Sequence, residues 1–162
     1  MANYNIERLN FLVVDDNEHM RALLRSILHA LGSKTIHEAS NGEEAFEEFK
    51  IFPVDIIICD WEMSPIDGIE FARLVRTDEE SPNPFVPIIM LTGHTELSKV
   101  SESRDAGINE FLAKPISATS LYFRIRSLIE HPREFVKTKT YFGLDRQRKQ
   151  LPWKGEDRRK PS

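Results

Sequence analysis

The stretch Val54-Asp55-Ile56-Ile57-Ile58-Cys59-Asp60 decides the fold of this chain. Five of the six residues from Val54 to Cys59 are apolar, four of them are β-branched, and the run ends abruptly on a carboxylate. A short continuous apolar run is typical of a strand that is buried on both faces of a parallel sheet. Asp60 would then lie where the strand meets solvent, at the edge where open α/β folds bind their ligands.

Composition limits the chain to one domain with an appendage. It has 162 residues, of which 40% are apolar and 30% are charged, enough for a substantial core. The single cysteine, Cys59, excludes a disulfide framework and a metal–thiolate cluster. The sequence has neither an apolar segment of about 18 residues nor a signal-peptide pattern, so we expect a cytoplasmic protein without a membrane partner.

The rest of the chain alternates short apolar runs with helical patterns. Strands are predicted over 9–14, 35–39, 54–60, 86–92 and 108–113. Helices are predicted over 18–31, 43–50, 68–76 and 95–106, and from 117 or 119 to 129. Five βα units with short connections predict an α/β fold, a doubly wound, flavodoxin-like sheet of five mostly parallel strands. We assign residues 1–130 to this domain and residues 131–162 to a non-globular extension.

Polar side chains stand at the carboxyl ends of four predicted strands, which meet at one edge of such a sheet. They are Asp15 and Asp16, Asp60, Thr92 and Lys114. Three neighbouring carboxylates cannot all stay ionised without a cation, and an all-oxygen ligand set favours Mg²⁺ over Zn²⁺. A hydroxyl and an ammonium opposite them are donors for a transferred phosphoryl group. The set predicts a phosphoryl-transfer site with Asp60 as the nucleophile.

Each of these residues alone has an ordinary explanation. An Asp after a strand usually caps a helix or forms a turn, Lys114-Pro115 could be a surface turn, and Thr92 could cap the following helix. Their joint occurrence at the ends of different strands favours the functional interpretation.

Four motifs resemble those of receiver domains of two-component response regulators, of the single-domain chemotaxis type. They are Val13-Val14-Asp15-Asp16, the run from Ile58 to Gly68, Leu91-Thr92-Gly93 and Phe111-Leu112-Ala113-Lys114-Pro115. The resemblance covers roughly residues 8–130. It implies a phosphoacceptor that transfers and loses its phosphoryl group by self-catalysis and is not otherwise an enzyme.

The resemblance also implies a role for each residue of the site. Asp60 would accept the phosphoryl group from a phosphohistidine on a sensor histidine kinase or a phosphotransfer protein. Asp16 would ligate Mg²⁺ directly, Asp15 through a water, and Glu62 through its backbone carbonyl. Thr92 would donate a hydrogen bond to the phosphoryl group, and Lys114 would form an ion pair with it. The Lys114–Pro115 bond is expected to be cis.

Signal output is expected to begin at Thr92. A phosphoryl group on Asp60 would draw this hydroxyl inward, and the predicted helix 95–106, which has few apolar residues, would shift with it. Phe111 is the candidate for a rotamer switch. The surface formed by this fourth helix, the fifth strand and the fifth helix would then bind a downstream protein, and a homodimer is left open. Glu62 and His94, each two residues after a site residue, are candidates for tuning the lifetime of the phosphoaspartate.

The extension differs from the domain in charge. Residues 131–162 carry ten Lys/Arg and four Asp/Glu, a net charge of +6, which leaves −10 for residues 1–130. Aromatic residues stand beside arginines in two loosely similar segments, and the candidate interaction residues are Tyr141, Phe142, Arg146, Arg148, Trp153, Arg158 and Arg159. Three interpretations stay open: a disordered solubilising tail, an arm that binds this acidic domain or a protein partner, and a nucleic-acid arm. The interspersed acids disfavour the last.

A true enzyme is the rival for the whole chain. It would be a Mg²⁺-dependent phosphohydrolase with Asp60 as its nucleophile. The adjacent Asp15-Asp16 pair and the lack of a substrate-specificity domain in the sequence disfavour it.

Overall fold

The predicted central strand is β3 (Ile56–Asp60), and all five of its residues are buried. The computed structural model describes residues 6–93 and 106–130, together with the backbone of 135–137 and 142–144. Around β3 lie β1 (Asn10–Val14), β2 (Thr35–Ala39), β4 (Ile88–Thr92) and β5 (Glu110–Ala113). The strand order is β2-β1-β3-β4-β5 and every neighbouring pair is parallel, which confirms the doubly wound α/β sheet.

Four described helices connect the strands, and their ends follow the expected capping residues. They are α1 (Glu18–Ala30), α2 (Gly42–Ile51), α3 (Gly68–Thr77) and α4 (Ala118–Glu130), and a short 3₁₀ helix over Ile6–Arg8 precedes β1. Asn17 caps α1 as predicted, because its side chain accepts the N–H of Met20. Gly32 follows α1 with a φ of +113°, the left-handed conformation in which glycine ends a helix.

The sheet is covered on both faces, so the core has two layers. One layer packs α2 and α3 on the sheet, with Phe46, Phe49, Phe71 and Val75 at its centre. The other packs α1 and α4, with Leu24, Leu28, Leu121 and Ile125. β3 supplies alternate side chains to each layer. Burying each of its isoleucines contributes about 1.5–3 kcal/mol, so this strand is firmly held.

Three strands start two residues later than predicted, and β1 starts one residue later. β3 begins at Ile56 and not at Val54, because exposed Asp55 turns outward and its carboxylate accepts the N–H of Asn10 at 2.7 Å. β4 begins after Pro87, which has no N–H to give to a ladder. β5 begins at Glu110, two residues after the predicted start.

The helix predicted over 95–106 lies outside the described residues, apart from buried Ala106. Gly107, which was expected to end that helix, has a φ of +84°. In the described part of the chain, no helix is both long enough and apolar enough to span a membrane.

A short antiparallel ribbon lies within the predicted extension. Strands β6 (Phe135–Lys137) and β7 (Phe142–Leu144) pair with Val136 opposite Gly143, and β7 lies near α3. Aromatic and β-branched residues favour strands, and Phe135-Val136 and Phe142 supply them. The remaining residues of the extension are not among those described.

Candidate functional site

The carboxyl ends of β1, β3, β4 and β5 meet at one edge of the sheet and bring the predicted site residues together. Asp60 is the last residue of β3, and Thr92 is the last residue of β4. Asp15 directly follows β1, and Lys114 directly follows β5. Residues that are up to a hundred positions apart in the sequence therefore share one cleft.

Three carboxylates form the acidic side of this site. One oxygen from each of Asp15, Asp16 and Asp60 lies within 4.8 Å of the others. Asp15 and Asp60 are 1% and 4% exposed, whereas Asp16 is exposed to solvent. Burial raises the pKa of Asp15 from 3.8 to about 6; the Asn17 N–H opposes this shift, and the charge of Asp60 adds to it. The site therefore holds buried negative charge that a bound cation would stabilise.

Lys114 provides the positive side. Its Nζ lies 2.8 Å from Oδ1 of Asp60. Burial raises the pKa of Asp60, and the hydrogen bond and charge of Lys114 counteract part of that rise. Burial by itself would lower the pKa of Lys114, but its bond to Asp60 and the surrounding acids raise it. Lys114 is therefore charged and holds one oxygen of the Asp60 carboxylate.

Two buried polar atoms in the site have no hydrogen-bond partner among the described residues, namely Oδ2 of Asp15 and Oγ1 of Thr92. Leaving such an atom unpaired costs about 1–3 kcal/mol, so each is a place where a ligand would be bound favourably. A free carboxylate oxygen beside two other carboxylates fits a hard divalent cation such as Mg²⁺. A free hydroxyl at the end of β4 fits an oxygen of a phosphoryl group.

The site opens to solvent through a cleft of about 480 Å³. Glu62, Met63 and Ser64 line one wall, and Asn17 and Met20 line another. Glu62 is exposed, so its carboxylate lies at the rim of the cleft. A cleft of this size has room for a group as small as phosphate beside Asp60.

Gly68 permits the close approach of α3 to the acceptor strand. A Cβ at this position would lie 2.5 Å from the carbonyl oxygen of Asp60, and the Gly68 N–H donates to the Trp61 carbonyl at 2.8 Å. The Lys114–Pro115 bond is cis, as expected, and Ser64–Pro65 is also cis, which the sequence did not predict.

Phe111 lies within reach of the acceptor strand. Its ring centroid is 6.4 Å from that of Trp61, the residue after Asp60, and the planes are tilted by 38°. Phe111 is partly buried, whereas Trp61 is 8% exposed. Phe111 therefore lies beside the residue that follows Asp60.

Several predicted site residues lie outside the described residues. They are His94, Tyr141, Arg146, Arg148, Trp153, Arg158 and Arg159. Phe142 falls in β7, where only the backbone is described.

Sequence reasoning missed two residues that hold the acidic loop. The Asn17 N–H donates to Oδ1 of Asp15 at 2.9 Å, and Arg21 donates to the Asp15 carbonyl at 2.7 Å. Asn17 was recognised only as a helix cap. Arg21 has no local sequence signal that separates it from Arg25.

Comparisons with known proteins agree with this geometry. The family model of the response regulator receiver domain matches residues 11–126. The chemotaxis protein CheY of Pseudomonas aeruginosa is 30% identical over 122 residues, which covers 75% of this chain and 97% of that protein.

Two solved structures show the same fold. Vibrio cholerae chemotaxis protein CheY4 matches with a TM-score of 0.66 at 30% identity, over 73% of this chain and 96% of that chain. The receiver domain of the sensor histidine kinase PA1611 of Pseudomonas aeruginosa, solved with a magnesium ion coordinated in its active site cleft, matches with a TM-score of 0.66 at 26% identity. That match covers 75% of this chain and 98% of that chain.

Proposed function

This chain belongs to the response regulator receiver family, and from that premise we propose that Asp60 is its phosphoacceptor. The donor would be a phosphohistidine on a sensor histidine kinase or a phosphotransfer protein. One observation carries the proposal: buried Asp60 is bonded to Lys114 at 2.8 Å, and the hydroxyl of Thr92, at the end of the neighbouring strand, is buried with no partner among the described residues. Lys114 and Thr92 therefore supply donors for two oxygens of a phosphoryl group on Asp60.

The chemistry follows from these contacts. An oxygen of ionised Asp60 attacks the phosphorus, a new P–O bond forms, and the P–N bond to the donor histidine breaks with its electron pair going to nitrogen. Lys114 keeps Asp60 ionised before the transfer and pairs with a phosphoryl oxygen after it. The Thr92 hydroxyl donates to a second phosphoryl oxygen. Asp16 and the Glu62 carbonyl would hold Mg²⁺ directly and Asp15 through a water, and the bound cation would supply positive charge to offset that of a phosphoryl group.

Output is proposed to follow from the new hydrogen bond at Thr92. A charge-assisted bond contributes about 1.5–3 kcal/mol, enough to shift an equilibrium between two arrangements of the chain after β4 by tenfold or more. Phe111, in contact with Trp61, would move with it. The binding surface for a downstream protein would comprise the predicted helix 95–106, β5 and α4.

The lifetime of the phosphoaspartate is proposed to depend on Glu62 and His94. The exposed carboxylate of Glu62 lies at the rim of the cleft that leads to Asp60. Glu62→Ala would lengthen the lifetime if that carboxylate orients the attacking water. An unchanged lifetime would leave Glu62 as a solvated side chain.

The test of the acceptor role is direct phosphorylation. Incubation with Mg²⁺ and a small phosphodonor such as phosphoramidate should add one phosphoryl group, detected by intact mass spectrometry, and the adduct should be labile in base. Asp60→Asn should abolish it. Asp67→Asn, in the helix cap of α3, is the matched control and should be phosphorylated normally.

Labelling that persists in Asp60→Asn would refute the proposal. Steady turnover of a phosphomonoester by the purified protein would instead favour the rival phosphohydrolase.

The extension is proposed to bind either this domain or a protein partner. The opposite charges of the two regions and the position of β7 near α3 support that reading. Protection of residues 135–160 from protease, with and without phosphorylation, separates an arm from a free tail. A salt titration of DNA binding tests the nucleic-acid alternative.

A further inference from the structure

Arg21 contacts the acidic loop without belonging to its cluster of carboxylates. It is the fourth residue of α1, and its side chain is 18% exposed. Nη1 donates a hydrogen bond to the backbone carbonyl of Asp15 at 2.7 Å, and Nε donates to Oε1 of Glu38 at 3.3 Å. The guanidinium therefore links the loop after β1 to strand β2.

The carbonyl that Arg21 holds belongs to the peptide bond between Asp15 and Asp16. A peptide unit is planar, so a bond that fixes this carbonyl also limits the rotations that would swing both carboxylates. The Asp15 N–H donates to the Ala39 carbonyl at 3.1 Å, and Oδ1 accepts from Asn17. With Arg21 on the carbonyl, Oδ2 is the one polar atom of Asp15 that has no hydrogen-bond partner among the described residues.

Glu38 keeps the guanidinium in place. It lies in β2 opposite Val13 of β1, and its two carboxylate oxygens contact two arginines one helical turn apart, Arg21 and Arg25. Arg25 has the same charge, helix and acidic partner as Arg21. Its hydrogen bond goes to Glu38 and not to the Asp15 carbonyl, so the chain contains its own matched control.

From this geometry we infer that Arg21 is a positioning residue for magnesium binding, acting through the backbone between Asp15 and Asp16. The inference rests on the proposed function, since it takes these two carboxylates as holders of the cation. Contacts that orient metal ligands typically change metal affinity by about 10- to 100-fold. Arg21 holds a backbone group and no ligand oxygen, so we expect the lower end of that range.

The experiment is a titration with Mg²⁺ alone, on the full chain. Trp61 follows Asp60 directly and reports on the site, and Trp153→Phe leaves it as the only tryptophan. In that background Arg21→Ala should raise the Mg²⁺ dissociation constant about tenfold, and Arg25→Ala should raise it by less than about twofold. Calorimetry on the same proteins measures the same constant without a fluorescent reporter.

Thermal unfolding controls for a loss of structure, because both variants lose an ion pair with Glu38. If Arg21→Ala does not fold, a comparison of Arg21→Lys with Arg25→Lys repeats the experiment with the charge retained. Because one ammonium cannot reproduce both hydrogen bonds of the Arg21 guanidinium, only Arg21→Lys should weaken Mg²⁺ binding. Phosphorylation of Arg21→Ala should recover at saturating Mg²⁺.

Equal dissociation constants for the Arg21 and Arg25 variants would overturn the inference while leaving the acceptor role of Asp60 intact. Failure of the unsubstituted chain to be phosphorylated would count against the proposed function instead.

Discussion

Replacing Asp15 by asparagine should stabilise the folded protein. Asp15 is 1% exposed, and one of its oxygens has no hydrogen-bond partner among the described residues. Burial holds its pKa at about 6 instead of 3.8, so at neutral pH the folded state must keep a poorly solvated charge beside Asp60. Asn keeps an oxygen for the N–H of Asn17 and removes that charge.

The size of the gain depends on pH in a defined direction. An acid whose pKa is raised by folding binds its proton more tightly in the folded state, so its contribution favours folding below pH 3.8 and is lost as the pH rises to about 6. Above pH 6 the difference between the two pKa values corresponds to a penalty of about 3 kcal/mol on the free energy of folding, relative to a neutral side chain. At pH 5 only about half of this penalty is present.

Urea unfolding of the metal-free protein, followed by circular dichroism, measures this difference. The free energy of unfolding of Asp15→Asn should exceed that of the unsubstituted chain by about 3 kcal/mol at pH 8 and by about half as much at pH 5. Glu79→Gln, an exposed loop carboxylate, is the control and should change it by less than about 0.5 kcal/mol. An Asp15→Asn protein no more stable than the unsubstituted chain, or a gain that shrinks from pH 5 to pH 8, would refute the reasoning.

Three further predictions concern the neighbours of Asp60. Lys114→Ala removes the 2.8 Å ion pair with Asp60 and should slow phosphorylation at pH 7 by about 10- to 100-fold in a mass-spectrometric time course. Lys34→Ala, on the surface, is the control and should not slow it. Equal rates for the two variants would contradict the role of Lys114. Thr92→Val should leave the stability of the unphosphorylated protein within about 1 kcal/mol, because Oγ1 has no hydrogen-bond partner among the described residues. The same substitution should weaken binding of a phosphoryl mimic at Asp60 about tenfold, and an unchanged affinity for the mimic would exclude the proposed hydrogen bond. Gly68→Ala places a Cβ 2.5 Å from the Asp60 carbonyl and should cost about 1–3 kcal/mol in urea unfolding, and a neutral result would show that α3 can move away.

The sequence by itself determined the architecture and the residues at the edge of the sheet. The four consecutive apolar residues from Ile56 to Cys59, three of them β-branched, are typical of a buried strand in a parallel sheet, so β3 and its Asp60 followed from local composition. The other strands followed from the same pattern. Because parallel strands end at a common edge, Asp15, Thr92 and Lys114 could be placed beside Asp60 without coordinates.

The tertiary structure decided what those residues experience. The pKa of Asp15, the unpartnered hydroxyl of Thr92 and the bond from Arg21 to the Asp15 carbonyl all depend on burial and on distances between elements that are remote in sequence. Arg21 and Arg25 look alike in the sequence, one helical turn apart. Only the way α1 packs against β1 and β2 puts one guanidinium on the acidic loop and leaves the other on Glu38, because a hydrogen bond is made or lost within about an ångström.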